Sequence, residues 1–258
     1  AVYGHGPGLV RVATGAPGEL GLLAMLAEHF ADRWPSRVCW RKAGTGAALD
    51  LLRSGAVDIV LGHAPEDEQR VLDAGIATAR VPFAANEFLL VGPPDDPARI
   101  RTAPTAVEAY RRIAATAAPF ISRADGSGTH QRELALWRQA EVEPQGDWYV
   151  RSAGYMQDAL READARGAYF MTDSSTWGAA APRYPGLATL LAGDPALRNP
   201  YHALLGAGAG TDARALVDFI ASDGAQRLIA SFGRDQFGRP LYLGAARARP
   251  GTSSPASR

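Results

Sequence analysis

From Leu9 onward, short apolar runs alternate with stretches in which apolar residues recur at three- and four-residue spacing. Leu9–Ala13 predicts a strand, and Thr14-Gly-Ala-Pro-Gly18 a turn. Over Glu19–Asp32, Leu22, Leu23, Met25, Leu26 and Phe30 fall on one helical face. Val38–Trp40 predicts a second strand. Gly44-Thr-Gly46 then opens a helix carrying Ala48, Leu51 and Leu52. Val57–Leu61 reads as a third strand and Glu66–Ala74 as a short helix. Repeated strand–helix units of this kind predict an α/β fold with a mainly parallel sheet.

The apolar strand around Phe88–Gly92 runs into Pro93-Pro94 and Asp95-Asp96, which marks an internal boundary. A second α/β set follows: helix 105–117, strand Phe120–Ser122, helices 129–140 and 157–166, and strand Ala168–Met171. Asn199-Pro200 is the next break. Beyond it lie a strand over Tyr201–Leu205 and helices over 213–222 and 225–232. Residues 246–258 are rich in Arg, Pro and Ser and poor in apolar side chains, which predicts a disordered tail. No run approaches the ~20 apolar residues of a membrane-spanning helix. The first residues show no basic region followed by an apolar core, so no leader is expected within them.

Composition narrows the function classes. At 47% hydrophobic and zero net charge over 258 residues the chain is globular, and its length suits one large domain or two lobes. Balanced charge, 27 basic against 27 acidic residues, argues against nucleic-acid binding through a broadly basic surface. A single cysteine, Cys39, excludes a disulfide framework and a Cys-rich zinc site, and the five histidines show no metal-ligand spacing. Lys42 is the only lysine; every other basic residue is arginine. A side chain meeting an anion here is therefore expected to be a permanently charged, planar guanidinium.

The segment Ser122-Arg-Ala-Asp-Gly-Ser-Gly-Thr-His130 carries the clearest chemistry. A strand ends, a glycine-bearing loop follows and a helix begins. The loop gathers Arg123, the hydroxyls of Ser122, Ser127 and Thr129, and the free N–H groups of a helix N-terminus. Gly126 and Gly128 suit the positive φ and close backbone approach of an anion nest. The plainer reading, that Ser127 or Thr129 only caps its helix, stays open. Thr14–Gly18 and Gly44–Gly46 repeat the strand–turn–helix form, and the carboxyl ends of such strands are where open α/β sheets bind ligands. Ser127, His130 and Asp125 could instead form a hydrolase relay, but no Gly-x-Ser-x-Gly elbow surrounds the serine.

These residues resemble a family. Arg123-Ala-Asp-Gly-Ser-Gly-Thr-His130 is similar to the Ser-Arg-Gly-Asp-(Asp)-Ser-Gly-Thr-His signature of the tungstate-binding periplasmic proteins of ABC importers. Gly44–Leu49, Val57-Asp58, His63–Glu66, Ala118–Phe120, Leu136-Trp137, Trp148-Tyr149, Thr172-Asp173 and Asn199–Tyr201 fall in the same order as in that family. The resemblance implies the type II periplasmic-binding-protein fold, two α/β lobes joined by two crossover strands with the ligand cleft between them. Lobe one is then expected over 9–88 plus 201–245 and lobe two over 94–199.

By the same resemblance the chain is a non-enzymatic, extracytoplasmic solute-binding protein, soluble after signal removal. It would act as a monomer, without cofactor or metal, capturing a small anion and delivering it to a membrane permease. The implied ligand-binding residues are Thr14, Gly15, Thr45, Ser122, Arg123, Ser127, Gly128, Thr129, Tyr155 and Thr172. Three stretches depart from the family. A Thr-Thr-Thr-Ser run appears here as Ala13–Ala16, Gly-Met-Gly as Tyr155-Met-Gln157, and Thr-Asp-Arg-Gly-Thr-Tyr as Thr172–Trp177. Tungstate or molybdate is expected first and a small organic anion second; a ligand-sensing effector domain of the same fold is the third reading.

Overall fold

A computed structural model describes residues 1–152 and 154–245; the tail expected over 246–258 lies outside the described residues. The chain begins with β1 (Val2–Tyr3), β2 (Gly8–Thr14), α1 (Ala16–Glu19) and α2 (Leu22–Ala31). Next come β3 (Ser36–Lys42), α3 (Thr45–Arg53), β4 (Ile59–Gly62), α4 (Pro65–Asp73) and the long β5 (Ala77–Gly92). After α5 (Ala106–Thr116) follow β6 (Phe120–Ser122), α6 (Gly128–Gln139), β7 (Tyr149–Arg151) and α7 (Met156–Arg166). β8 (Tyr169–Asp173), α8 (Ser174–Ala180) and β9 (Ala188–Leu191) complete that set. β10 (Arg198–Gly206) returns, followed by α9 (Thr211–Ala221), α10 (Asp223–Ser231), α11 (Arg234–Phe237) and β11 (Leu243–Gly244).

Two α/β lobes share the strand path β1-β3-β2-β4-β10-β5-β8-β6-β7. β2, β3 and β4 form a parallel block, as do β6, β7 and β8. β5 and β10 are the crossovers, antiparallel to each other from Ala77/Gly206 to Glu87/Arg198. β5 changes partners along its length: up to Glu87 it pairs with β10, and from Phe88 to Val91 with β8. The expected strand at Phe88 is thus the second half of a 16-residue one. Its first half escapes the apolar pattern because Thr78, Arg80 and Pro82 interrupt it. Pairing skips Phe83, a bulge beside Pro82, and the Phe83 carbonyl accepts from Gln226 Nε2 at 3.0 Å.

Both faces of each sheet are covered, which explains the unbroken apolar runs. Phe88 and Leu90 join a core with Tyr110, Phe120 and Trp137; Leu89 and Val91 point the other way, to Ile121, Leu160 and Phe170. In the first lobe Val10 and Val12 pack under α2 and α9, whereas Ala13 and Val60 pack under α3. Trp148, Tyr149 and Trp177 serve these cores. The helix expected over 19–32 begins only at Leu22, because Gly21 adopts φ +91° at its N-cap, and the turn expected over Thr14–Gly18 holds most of the short α1.

The crossovers carry a buried polar chain. His63 Nδ1, at the end of β4, lies 2.9 Å from Asn199 Oδ1. Asn199 Nδ2 donates to Asn86 Oδ1 at 2.7 Å, and Asn86 Nδ2 donates to Ser175 Oγ at 3.1 Å and Asp173 Oδ1 at 3.3 Å. Asn199 and Asn86 are register partners on the two crossovers, so this chain runs from one lobe through the hinge into the other. An ion cluster stands beside it: Glu68 Oε2, fully buried, is 2.9 Å from Arg80 Nε on β5 and 2.8 Å from His202 Nδ1 on β10.

Asn199→Ala leaves the His63 ring and the Asn86 carbonyl without their amide. Each orphaned buried group is expected to cost about 1–3 kcal/mol, read as a lower denaturant midpoint at unchanged m-value. Arg53→Ala, at an exposed pair with Asp50, is expected to change stability by no more than about 0.5 kcal/mol in the same assay.

Candidate functional site

The loop between β6 and α6 is built around Arg123. Its side chain is buried, and a guanidinium N–H group pairs with the Asp125 carboxylate. The other Asp125 oxygen accepts from Ser127 N–H at 3.0 Å. Gly126 adopts φ +68° and Ala124 φ +47°, so the chain reverses within a few residues. Ser127 Oγ caps α6 by accepting from His130 N–H at 3.4 Å, while His130 Nδ1 accepts from Gly126 N–H at 3.0 Å. His130 and Ser127 therefore both bond backbone groups, and no serine–histidine relay forms. Burial holds the His130 imidazole below its ordinary value; Asp125 opposes that shift, and Arg123 and Arg151 add to it.

One donor is left over. Arg123 Nε is buried and has no hydrogen-bond partner among the described residues. A guanidinium that gives up water must recover its hydrogen bonds elsewhere, and an anion recovers the most.

The lobes meet at this loop, backbone against backbone. A side chain on Gly46, in the first turn of α3, would put its Cβ 2.8 Å from the Gly126 carbonyl oxygen. One on Gly128 would lie 2.6 Å from the His63 ring. Gly128 is thus glycine for close approach, not for a positive φ as expected from its place in the loop. Gly44 approaches the Ser127 side chain in the same way. The N-termini of α3 and α6 are brought face to face, each with first-turn N–H groups free of intrahelical partners.

Of the residues expected to bind ligand, Thr45, Arg123, Ser127 and Gly128 come together at this seam. Thr129 is buried in the first turn of α6. Thr14 and Gly15 lie alongside, where the Thr14 carbonyl accepts from Ala43 N–H at 3.2 Å. Two hydroxyls are spent within their own lobes. Thr14 Oγ1 donates to the Leu61 carbonyl at 2.9 Å, and Thr172 Oγ1 faces Met156 Sδ at 3.5 Å and the Asp173 carbonyl at 3.4 Å. Thr45 Oγ1 accepts from His63 N–H at 3.3 Å. Tyr155 is half exposed, its ring lying under the Lys42 ammonium rather than against Arg123.

Three participants are not visible in the sequence as such: Lys42, His63 and Glu133. His63 is packed against the Tyr201 ring at 4.7 Å, and burial holds it below the ordinary imidazole value against the pull of Asp173, Asn199 and Glu68. Glu133, buried on α6 behind the loop, accepts from Tyr149 Oη at 2.6 Å and Trp137 Nε1 at 3.3 Å. Burial raises its carboxyl to about 7, even though Tyr149, Ser122, the Arg123 backbone N–H and Trp137 favour the charged form. No His, Cys, Asp and Glu cluster suited to a metal ion occurs among the described residues.

Comparison with known proteins adds relatives to this geometry. The family model of the PBP superfamily domain matches residues 1–224. A putative ABC transporter anion-binding protein of Haloferax volcanii is 38% identical over 66% of this chain; the match spans 49% of that relative, about half its length. The tungstate-binding protein of Peptoclostridium acidaminophilum is 31% identical over 91% of this chain and 84% of its own. Among solved structures, the tungstate-binding protein of Desulfovibrio alaskensis superposes with a TM-score of 0.76 at 34% identity, covering 92% of this chain and 99% of that one.

The Glu133 carboxyl makes a directional prediction. Its value is raised on folding from 4.5, so its stabilising contribution is complete below about 4.5 and is lost as pH rises through about 7. His63 and His130, held low, contribute in the opposite direction, losing stability as pH falls. Glu133→Gln is therefore expected to flatten the fall in melting temperature between pH 5 and pH 8.5 and to leave the acid limb unchanged. An unaltered alkaline limb would remove Glu133 as its source.

Proposed function

The chain belongs to the PBP superfamily and, within it, to the family of the ABC-importer tungstate-binding proteins, and from that premise we propose that it captures a small oxyanion in its interlobe cleft. Tungstate or molybdate is the first candidate. The protein works outside the cytoplasm, released from a leader, as a monomer that hands its anion to a membrane permease and contacts no nucleic acid. It carries no cofactor and catalyses no reaction. Among the described residues, no helix is long and apolar enough to cross a membrane.

The observation that carries this reading is the buried Arg123 guanidinium with Nε unpartnered, in the loop that meets the first turn of α3 at the seam between the lobes. In this reading the lobes comprise residues 9–88 plus 201–245 and residues 94–199, a division supported by the change of partners along β5. Arg123 supplies the fixed charge. Thr129 and the first-turn N–H groups of α3 and α6 supply neutral donors, with Thr45, Ser127 and Gly128 shaping the seam. Gly15 borders the site through its backbone. Ser122, Thr14 and Thr172 support it from behind. Each hydrogen bond between an ion and a donor is worth about 1.5–3 kcal/mol, so a few in a desolvated cleft account for micromolar or tighter binding.

A small organic anion is the second reading. It is favoured by a cavity of about 460 Å³ between the lobes, lined by Ala16, Glu19, Met156, Gln157, Thr176 and Arg183 among others, with more room than a tetrahedral oxyanion fills.

Calorimetric titration with tungstate, molybdate, sulfate and a carboxylate panel separates the two readings. Tungstate or molybdate is expected to bind at one site per chain, and Arg123→Ala to weaken it about 10- to 150-fold, the range of one or two charge-assisted hydrogen bonds. Heat from a carboxylate alone would replace the oxyanion by the second reading. An undiminished affinity in Arg123→Ala would refute the site.

A further inference from the structure

We propose that Lys42 and Tyr155 form a latch across the mouth of the cleft, and that this pair sets the rate at which a captured anion leaves. The inference rests on the anion-capture reading and adds to it a contact between the two lobes.

Lys42 ends β3 in the first lobe, two residues before the N-cap of α3. Tyr155 precedes the first turn of α7 in the second lobe. Their contact is cation over ring: Lys42 Nζ stands 4.0 Å from the centroid of the Tyr155 ring. Both partners are held in place. The Glu19 carboxylate, at the end of α1, pairs with the same ammonium. On the other side, Asp158 Oδ2 accepts from Tyr155 N–H at 3.0 Å and fixes the backbone from which the ring projects.

The contact crosses from one lobe to the other, so it exists only when they are closed. It must break before the glycine seam can part. β3 and α7 belong to different lobes; inside its own lobe Lys42 pairs only with Glu19, and that pair leaves the ammonium free to reach the Tyr155 ring. Tyr155 remains 50% exposed, and no hydrogen bond of its phenol oxygen occurs among the described residues. Lys42 is the sole lysine of the chain, and its compact ammonium serves Glu19 and the ring face together.

A contact formed on lobe closure, with or without an anion, and broken before release acts on dissociation. Association, governed by diffusion and by the field of the open cleft, is left nearly unchanged. An exposed cation–π contact supports an effect of about two- to fivefold.

Stopped-flow tryptophan fluorescence with tungstate and molybdate as probes tests the latch. Lys42→Gln and Tyr155→Leu are each expected to raise the dissociation rate about two- to fivefold. The double variant should exceed neither single by more than the error, because both remove one interaction. Tyr155→Phe, which keeps the ring face, should dissociate like the parent. Additive effects of the two single changes, or Tyr155→Phe behaving like Tyr155→Leu, would overturn the proposal.

A ligand-free readout keeps this result separate from the fate of the oxyanion reading. In hydrogen exchange without any anion, the peptide spanning Gly126–Thr129 should exchange faster in Lys42→Gln and Tyr155→Leu than in the parent. If the parent binds neither oxyanion but the seam still loosens, the ligand assignment fails and the latch stands. If the seam exchanges at the parent rate in both variants, the latch fails whatever the ligand.

Discussion

A guanidinium removed from water with one of its N–H groups unused is the constraint on which the site turns. Arg123 reaches only Asp125 among the described residues, and its Nε is buried without a partner. Leaving a donor of that kind unsatisfied costs more than a typical hydrogen bond contributes, so the arrangement makes physical sense as half of an ion–donor pair. Asp125 does two things at once. It offsets part of the buried charge, and by accepting from Ser127 N–H it holds the loop in the conformation that presents Arg123 to the cleft.

Closure follows from the same region. Because Gly46 and Gly128 carry no side chains, the turn that opens α3 and the turn that opens α6 approach at backbone distance, and the positive ends of two helices converge beside the guanidinium. The hinge transmits this position. His63 touches Gly128 on one side and Asn199 on the other; Asn199 holds Asn86, and Asn86 holds the Asp173–Ser175 turn at the start of α8. Movement of one lobe against the other must bend the two paired asparagines, which lie at the register point where β5 leaves one sheet for the next.

The architecture was largely legible in the sequence, because both faces of each sheet are covered. Runs such as Phe88–Val91 and Phe120-Ile121 are continuous in apolar character for that reason. The first half of β5 was not legible: Arg80 is polar in a strand because its partners, Glu68 and His202, come from other parts of the chain. The Arg123 loop announced its chemistry by local composition. Lys42, His63 and Glu133 did not, since each acquires its role from a residue distant in sequence: Tyr155, Asn199 and Tyr149 respectively. Thr14 and Thr172 illustrate the converse. Their hydroxyls have the composition of a binding loop, yet they bond backbone and sulfur atoms within their own lobes.

The most direct test of the central claim is a crystal structure of the protein grown with tungstate, whose electron-rich centre locates itself by anomalous scattering. One strong peak is expected in the seam between the N-termini of α3 and α6, with an oxygen of the anion within hydrogen-bonding distance of Arg123 Nε. A peak elsewhere, with Arg123 Nε still buried and unpartnered, would contradict it.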